Sequence, residues 1–178
     1  MQVVKQLTRI FRMTEEVILV DEQDQAIGTI EKLEAHKKGL LHRAFSIFIF
    51  NDSGEILLQQ RALNKYHSAG LWTNTCCSHP RPQEVTLDAA IRRLNEEMGL
   101  VCELQHKLHF IYKTNFDNGL IEHEFDHVFF GYTNQNPIIN KNEAENYTWM
   151  QPQKIITEIE NNPDNYTEWF KIAMKKLF

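Results

Sequence analysis

Cysteine is scarce in this chain, and its spacing excludes a disulfide framework. The 178 residues include three cysteines, Cys76, Cys77 and Cys102. An odd number of cysteines, two of them adjacent, does not fit the paired spacing of a disulfide-stabilised secreted domain. Free thiols are typical of a reducing compartment, so we predict a cytoplasmic location.

Long apolar runs and an excess of positive charge are also lacking. The sequence has no membrane-spanning run and no signal-peptide pattern, which predicts no membrane insertion. Lys and Arg number 19 against 24 Asp and Glu, a formal net charge of −5. This balance excludes the basic footprint of a general nucleic-acid-binding protein. The length and the 42% hydrophobic fraction are typical of one globular domain, and no pattern indicates an oligomeric state.

The order of strand and helix patterns predicts the fold class. Predicted strands cover residues 17–20, 26–30, 44–50, 55–61, 102–114, 121–132 and 147–150, and predicted helices cover 87–98, 152–161 and 164–177. We expect the strand at 55–61 to return against the strand at 44–50. Residues 31–41 are mixed, with a break at Gly39. The whole predicts an α+β fold in which helices sandwich a mixed β-sheet, with residues 1–13 as an N-terminal extension and 14–178 as the domain.

The predicted helix at 87–98 has one face that is expected to pack inward. Ala90, Ile91, Leu94 and Met98 recur at helical spacing, which predicts an amphipathic helix. Gly99 follows the last apolar position and marks the helix end.

Just before this helix, Cys77 stands two residues from His79. The thiol could be an activated thiolate, a metal ligand or a small packed hydrophobic group. A buried structural cysteine is the usual case. The flanking segments 73–75 and 78–80 are polar and turn-like, and loops of this kind often carry function, which favours a functional thiol.

Five residues have the character of divalent-metal ligands: His36, His42, His79, Glu122 and Glu124. Alternation along a strand places Glu122 and Glu124 on one face, roughly 7 Å apart. Two like charges on one face require a cation or a shared proton, and imidazoles with carboxylates suit Zn²⁺, Mn²⁺ or Mg²⁺. Surface histidines beside a solvated acidic strand edge are the alternative interpretation.

Four cations could hold an anionic ligand in this acidic protein: Lys32, Arg61, Lys65 and Arg93. If the fold brings them together, they form a phosphate clamp in which arginine supplies a bidentate fork. Ordinary pairing of Arg93 with Glu97 on the helix surface explains that arginine equally well.

The segment from Ser78 to Leu100 resembles the Nudix box, in which Gly, five residues, Glu and seven residues precede Arg-Glu-apolar-any-Glu-Glu-any-Gly-apolar. The matching positions are Ser78, Glu84, Arg92, Arg93, Leu94, Glu96, Glu97, Gly99 and Leu100. Ser78 replaces the opening Gly, and Arg93 replaces the first Glu of the Arg-Glu pair. That Glu helps hold the catalytic metals of Nudix hydrolases, so the substitution argues against diphosphate hydrolysis.

From about Thr14 onward the chain resembles the type 1 isopentenyl-diphosphate Δ-isomerases, a branch of the Nudix superfamily. The residues that carry the resemblance are 31–36, 41–46, 61–63, 71–74, Cys77-x-His79-Pro80, 92–99, Tyr112, Glu122-x-Glu124 and Trp169. The resemblance implies interconversion of isopentenyl and dimethylallyl diphosphate.

The resemblance also implies a role for each site residue. Cys77 and Glu124 would be the acid–base pair, with Tyr112 assisting Glu124 and Trp169 offering its π face to a developing carbocation. A metal ion (Mn²⁺, Mg²⁺ or Zn²⁺) would lie on His36, His42, His79, Glu122 and Glu124. Lys32, Arg61, Lys65 and Arg93 would contact the diphosphate, which Mg²⁺ held in part by Glu97 would bridge.

Two alternatives come from other functional classes. A Nudix hydrolase acting on a nucleoside diphosphate derivative would use Glu84, Glu96 and Glu97 but would leave Cys77 and the histidines without a role. A Nudix-fold binding module that has lost catalysis is the other alternative, although neither the acid nor the base is missing.

Overall fold

The computed structural model describes residues 15–178. The predicted N-terminal extension, residues 1–13, lies outside the described residues. Within the described part the chain forms nine strands and four α-helices, and none of these helices is long and apolar enough to cross a membrane.

The strands are β1 (Glu16–Val20), β2 (Ala26–Glu31), β3 (His42–Phe50), β4 (Ile56–Arg61), β5 (Trp72–Thr73), β6 (Cys76–Ser78), β7 (Leu104–Asn115), β8 (Ile121–Tyr132) and β9 (Ala144–Met150). The helices are α1 (Lys32–Lys38), α2 (Thr86–Met98), α3 (Pro152–Asn161) and α4 (Glu168–Leu177), with a short 3-10 helix at Pro163–Asn165.

All nine strands form one mixed sheet, and β3 lies at its centre. β8 runs parallel to β3 along its whole length, while β6 pairs antiparallel with β3 on the other edge. β1 and β2 form the predicted hairpin, and β7 and β8 form a long second hairpin. This arrangement places the middle of β3 between β6 and β8, where the site is built.

The predicted return of the fourth strand against the third is confirmed, but their antiparallel pairing is short. β4 meets β3 only at the pair Phe50 and Ile56, and its main partner is β9. The reason is that both edges of β3 are already occupied, by β8 on one side and by β1 and β6 on the other.

Helices cover both faces of the sheet, so the predicted α+β sandwich is confirmed. α2 packs against one core, and α3 and α4 pack against the other. On α2, Ala90, Leu94 and Met98 are fully buried, and Ile91 is partly buried. Gly99 ends this helix in the left-handed region at φ 63°, as its position predicts.

Two helices differ from the sequence prediction. α1 was not predicted, because seven residues with few apolar positions give no clear periodicity. Its first turn is capped by the Glu31 carboxylate, which accepts from the backbone N–H groups of Leu33 and Glu34, and it ends at Gly39, φ 62°. The last helix was predicted from residue 164, but α4 begins at Glu168, after the 3-10 helix and the extended Tyr166.

The polar segment 73–75, predicted as turn-like, connects β5 to β6 and is buried. Thr73, Asn74 and Thr75 are fully buried. Asn74 donates to the carbonyls of Ile47 (3.2 Å) and Cys76 (2.7 Å). These polar side chains therefore satisfy internal backbone groups that a sharp connection between β5 and β6 would otherwise leave without partners.

Candidate active site

Three histidines and one glutamate converge from four separate elements. His36 comes from α1, His42 begins β3, His79 follows β6, and Glu124 lies on β8. One ligand atom of each lies within 4.8 Å of the others. His36 and His42 are buried, and the side chains of His79 and Glu124 are each only 9% exposed. We call these four residues the inner histidine cluster.

Hydrogen bonds around the inner histidine cluster fix the orientation of two of its imidazoles. Nδ1 of His42 lies 2.8 Å from the carbonyl oxygen of Leu40; because a carbonyl only accepts, this nitrogen carries the proton. Nδ1 of His36 lies 3.2 Å from the Tyr66 hydroxyl. The Nε2 atoms of His36 and His42 are buried and have no hydrogen-bond partner. Converging nitrogens held in this way fit a divalent metal ion.

Burial also keeps the imidazoles in the form that binds metal. It lowers the pKa of His36 to about 3, and it lowers the pKa of His79. Both rings are therefore neutral at physiological pH, and metal ligation requires neutral imidazole.

Two carboxylates lie on one face of β8, as alternation predicts. The Tyr112 hydroxyl lies 2.7 Å from Oε2 of Glu124 and 3.1 Å from Oε2 of Glu122. Burial and the neighbouring Glu124 raise the pKa of Glu122 well above its ordinary value. Burial acts on Glu124 in the same direction, but the imidazoles of His42, 3.6 Å from its Oε1, and His79, at 2.9 Å, hold its pKa well below the ordinary value. The pair thus shares one negative charge, centred on Glu124.

Glu122 stands apart from the other predicted metal ligands. It is buried and lines the same cavity, but it does not belong to the group of converging donor atoms. Its neighbours are the Tyr112 hydroxyl and Nε2 of His67, which lies 3.8 Å from Oε1 of Glu122. A ligand role for Glu122 stays a prediction.

The two adjacent thiols face opposite sides of the sheet. In the pairing of β6 with β3, Cys76 opposes Ile47 and Cys77 opposes Ser46. Cys76 is fully buried in the core beneath α2, whereas Cys77 lines the cavity with Glu124. Burial raises the pKa of Cys77 to about 12, which favours a protonated thiol over the activated thiolate among the alternatives.

The four predicted phosphate-binding cations line this cavity together: Lys32, Arg61, Lys65 and Arg93. Three of them already have carboxylate partners. Lys32 lies 3.3 Å from Glu15, Lys65 pairs with Glu143, and Arg93 lies 2.6 Å from Glu97 and 3.1 Å from Glu143. Glutamates therefore neutralise three of the four cations.

Glu97 is the buried carboxylate of the box segment, and its neighbours differ from those of Glu84 and Glu96. Glu97 is 4% exposed and accepts from the Gln59 side-chain amide at 3.0 Å. Glu84 is bound in bidentate fashion by Arg92, at 2.7 and 2.8 Å. Glu96 accepts from Arg92 and Arg93. Glu97 also accepts from Arg93 at 2.6 Å, so all three acids that a hydrolase would need are held by arginines.

Trp169 lies at the wall of the cavity beside a cation. It is 4% exposed, and its indole N–H donates to Oγ1 of Thr73 at 2.9 Å. The Arg61 guanidinium carbon lies 5.1 Å from the Trp169 ring centroid. Arg61 also donates to the backbone carbonyls of Ser68 (3.2 Å) and His67 (3.3 Å). Arg61 therefore supports the loop above the cavity as well as lining it.

Sequence reasoning missed four residues that line the cavity: Gln59, Tyr66, His67 and Glu143. Tyr66 and His67 lie in a connection between strands with no periodic pattern, and Glu143 lies in a segment predicted only as loop. The one available signal was the proximity of Tyr66 and His67 to Lys65, a predicted phosphate contact. Burial lowers the pKa of His67 to about 3.

Comparison with known proteins identifies the family. Residues 40–170 match the NUDIX domain model. The chain is 53% identical over 165 residues to isopentenyl-diphosphate Delta-isomerase 2 of Photorhabdus laumondii, covering 93% of each chain. It is 48% identical over 165 residues to isopentenyl-diphosphate Delta-isomerase 2 of Aromatoleum aromaticum, covering 93% of this chain and 87% of that protein.

Solved structures agree on the fold. The DR0079 protein of Deinococcus radiodurans superposes with a TM-score of 0.78 at 16% identity, over 92% of this chain and 99% of that chain. A MutT protein from Methanosarcina mazei gives a TM-score of 0.61 at 22% identity, over 76% of this chain and 91% of that chain. With the sequence relatives, these matches place the chain in the isopentenyl-diphosphate Delta-isomerase family of the NUDIX fold.

Proposed function

We propose that this chain interconverts isopentenyl diphosphate and dimethylallyl diphosphate. The observation that carries the proposal is the placement of a half-buried thiol, Cys77, in one small cavity with Glu124 and Tyr112. The relatives at about 50% identity are named for this substrate. The reaction would take place in the cytoplasm, which the three free cysteines support.

The chemistry requires an acid and a base in a dry pocket. The substrate is an unactivated alkene, so one carbon must gain a proton and another must lose one, by way of a tertiary carbocation or a state close to it. Cys77 and Glu124 form this acid–base pair, and the Tyr112 hydroxyl assists the proton transfer at Glu124. A π face at Trp169 stabilises the developing cation by about 2 kcal/mol when desolvated.

The inner histidine cluster would hold Mn²⁺, Mg²⁺ or Zn²⁺, with Glu122 as a further predicted ligand. When bound, the ion would supply positive charge that lowers the basicity of Glu124 and fixes its orientation. The unpaired Nε2 atoms of His36 and His42 support this assignment. The protein holds those two rings in place through Leu40 and Tyr66.

Binding of the diphosphate positions the inert five-carbon tail. Lys32, Arg61, Lys65 and Arg93 would contact its oxygens, and Glu97 would help to hold an Mg²⁺ ion that supplies further positive charge to the diphosphate. A cation at position 93, where a hydrolase has Glu, supports a box that binds diphosphate without cleaving it.

The test is proton NMR of isopentenyl diphosphate with the purified protein and Mg²⁺ in D₂O. We expect the dimethylallyl isomer to appear together with deuterium in the five-carbon unit. An unlabelled substrate, with phosphate released from nucleoside diphosphates, would instead establish the hydrolase alternative. Absence of both reactions would favour a binding module.

A further inference from the structure

His67 lines the cavity but has no role in the proposed mechanism. It lies in the connection between β4 and β5, and its side chain is 8% exposed. Its ring stacks on Phe116, with centroids 5.2 Å apart and planes 29° apart. It meets Trp169 edge-on at 6.0 Å and His36 edge-on at 6.0 Å. The imidazole therefore fills the space between the tryptophan wall and the inner histidine cluster.

Two site residues hold this connection in place. Arg61 donates to the carbonyls of His67 and Ser68, and the hydroxyl of Tyr66 lies 3.2 Å from Nδ1 of His36. Because residues on either side of His67 are hydrogen-bonded to the site, we infer that its side chain forms a rigid wall of the cavity.

The inner cavity bounded by this wall has a volume of about 80 Å³, whereas the adjoining outer groove measures about 620 Å³. When the five-carbon tail fills this small cavity, a shorter side chain in place of the imidazole would leave unfilled space beside the tail. A water molecule needs only roughly 10–15 Å³ of such space, so truncation would admit at least one water, or a larger hydrocarbon branch.

We propose that His67 determines the size of the hydrocarbon that this site accepts and excludes water from the tertiary cation. The inference rests on the proposed function. If water entered, its oxygen would bond to the tertiary carbon after the alkene had been protonated. It would release a proton to solvent, and the product would be 3-hydroxy-3-methylbutyl diphosphate. The wall formed by His67 prevents this hydration.

The experiment compares His67→Ala and His67→Asn, which shorten the side chain, with His67→Phe, which keeps a ring. His106→Ala removes an exposed imidazole on β7 and is the matched control. Two quantities are measured by proton and phosphorus NMR. One is the hydrated fraction of product. The other is the ratio of kcat/KM for the homologue with one extra methylene on its branch to kcat/KM for isopentenyl diphosphate.

For both truncations we expect the homologue ratio to rise about tenfold, since one methylene is worth about 1–3 kcal/mol in a fitted pocket, and hydrated product to appear. His67→Phe and His106→Ala should keep the wild-type ratio and form no hydrate. The ratio is independent of the fraction of folded enzyme, so partial unfolding does not obscure it.

If both truncations keep the wild-type homologue ratio and form no hydrated product, the inference is overturned. Isomerisation by the wild-type protein would still support the proposed function. A wild-type protein that fails to isomerise isopentenyl diphosphate would overturn both.

Discussion

The molecule carries two clusters of histidines with a carboxylate, and only one has the geometry of a metal site. The inner histidine cluster is buried, and its donors converge. The second group, which we call the outer histidine cluster, consists of His106, His109, His127 and Asp24. Its rings lie on β7 and β8, where His106 and His109 are exposed. Within residues 15–178 no group other than the inner histidine cluster brings three such donors this close.

Both nitrogens of His127 and Nε2 of His106 differ because they already have partners. Nε2 of His127 lies 2.9 Å from Oδ2 of Asp24, and Nδ1 of His127 lies 3.3 Å from Nε2 of His106. In the inner histidine cluster, Nε2 of His36, Nε2 of His42 and Nδ1 of His79 have no hydrogen-bond partner within residues 15–178. Residue type alone therefore does not make a metal site; convergence from separate elements with lone pairs left over does.

Exchanging the carboxylate in each cluster gives the largest expected contrast. Glu124→Gln removes a charge while keeping the shape, so we expect isomerisation to fall about 10³-fold or more and bound metal to be lost. Asp24→Asn is the matched change in the outer histidine cluster, where Asn tolerates the positive φ of 61°. It should leave activity within twofold. Turnover by NMR and metal content by mass spectrometry decide the point; equal losses in both variants would abolish the distinction.

Adjacent thiols sharpen the same contrast at the scale of one residue. Cys77→Ala should lower isomerisation by about 10²-fold or more, because one member of the acid–base pair is gone. Cys76→Ala changes a buried core contact, so we expect a loss of about 1 kcal/mol in unfolding free energy with turnover nearly unchanged. Rates measured at matched folded concentration test both variants. An active Cys77→Ala beside an inactive Cys76→Ala would assign the chemistry to the other thiol.

Local patterns predicted the faces of single elements, and tertiary contacts decided the rest. Periodicity gave the buried side of α2, and alternation placed Glu122 with Glu124. Alternation could not show that Glu124 reaches the inner histidine cluster while Glu122 does not. That difference depends on where α1 and β3 place their imidazoles. His67 and Glu143 reach the cavity from connecting segments whose course depends on packing that no local period records.

The tryptophans extend the comparison to the aromatic wall. Trp169→Ala should lower kcat by about 30-fold, the equivalent of the roughly 2 kcal/mol expected of a desolvated cation–π contact. Trp169→Phe retains a π face and should lose only a few-fold. The control is Trp149→Phe. Trp149 lies on β9, and its indole N–H donates to Oδ1 of Asn136 at 3.2 Å. Equal kcat values in the two Trp169 variants would remove the cation–π role.

The smallest effect separates buried from exposed imidazole through pH. Burial lowers the pKa of His67 to about 3, against an unfolded value near 6.5. Below pH 6.5 the unfolded state therefore binds a proton at His67 that the folded state does not bind. The contribution of His67 to stability is complete above pH 6.5 and is lost as the pH falls toward 3.

The loss from His67 amounts to about 1.4 kcal/mol per pH unit at most. His67→Phe should remove it, so the unfolding free energy of this variant should fall less steeply between pH 6.5 and 4 than that of the wild type. His106→Phe, at an exposed position of the outer histidine cluster, should follow the wild-type curve. Urea unfolding of chelator-treated protein followed by circular dichroism gives the three curves. Parallel curves for wild type and His67→Phe would mean that the imidazole of His67 is solvated in the folded protein, and the contrast between buried and exposed rings would then hold only for the inner histidine cluster.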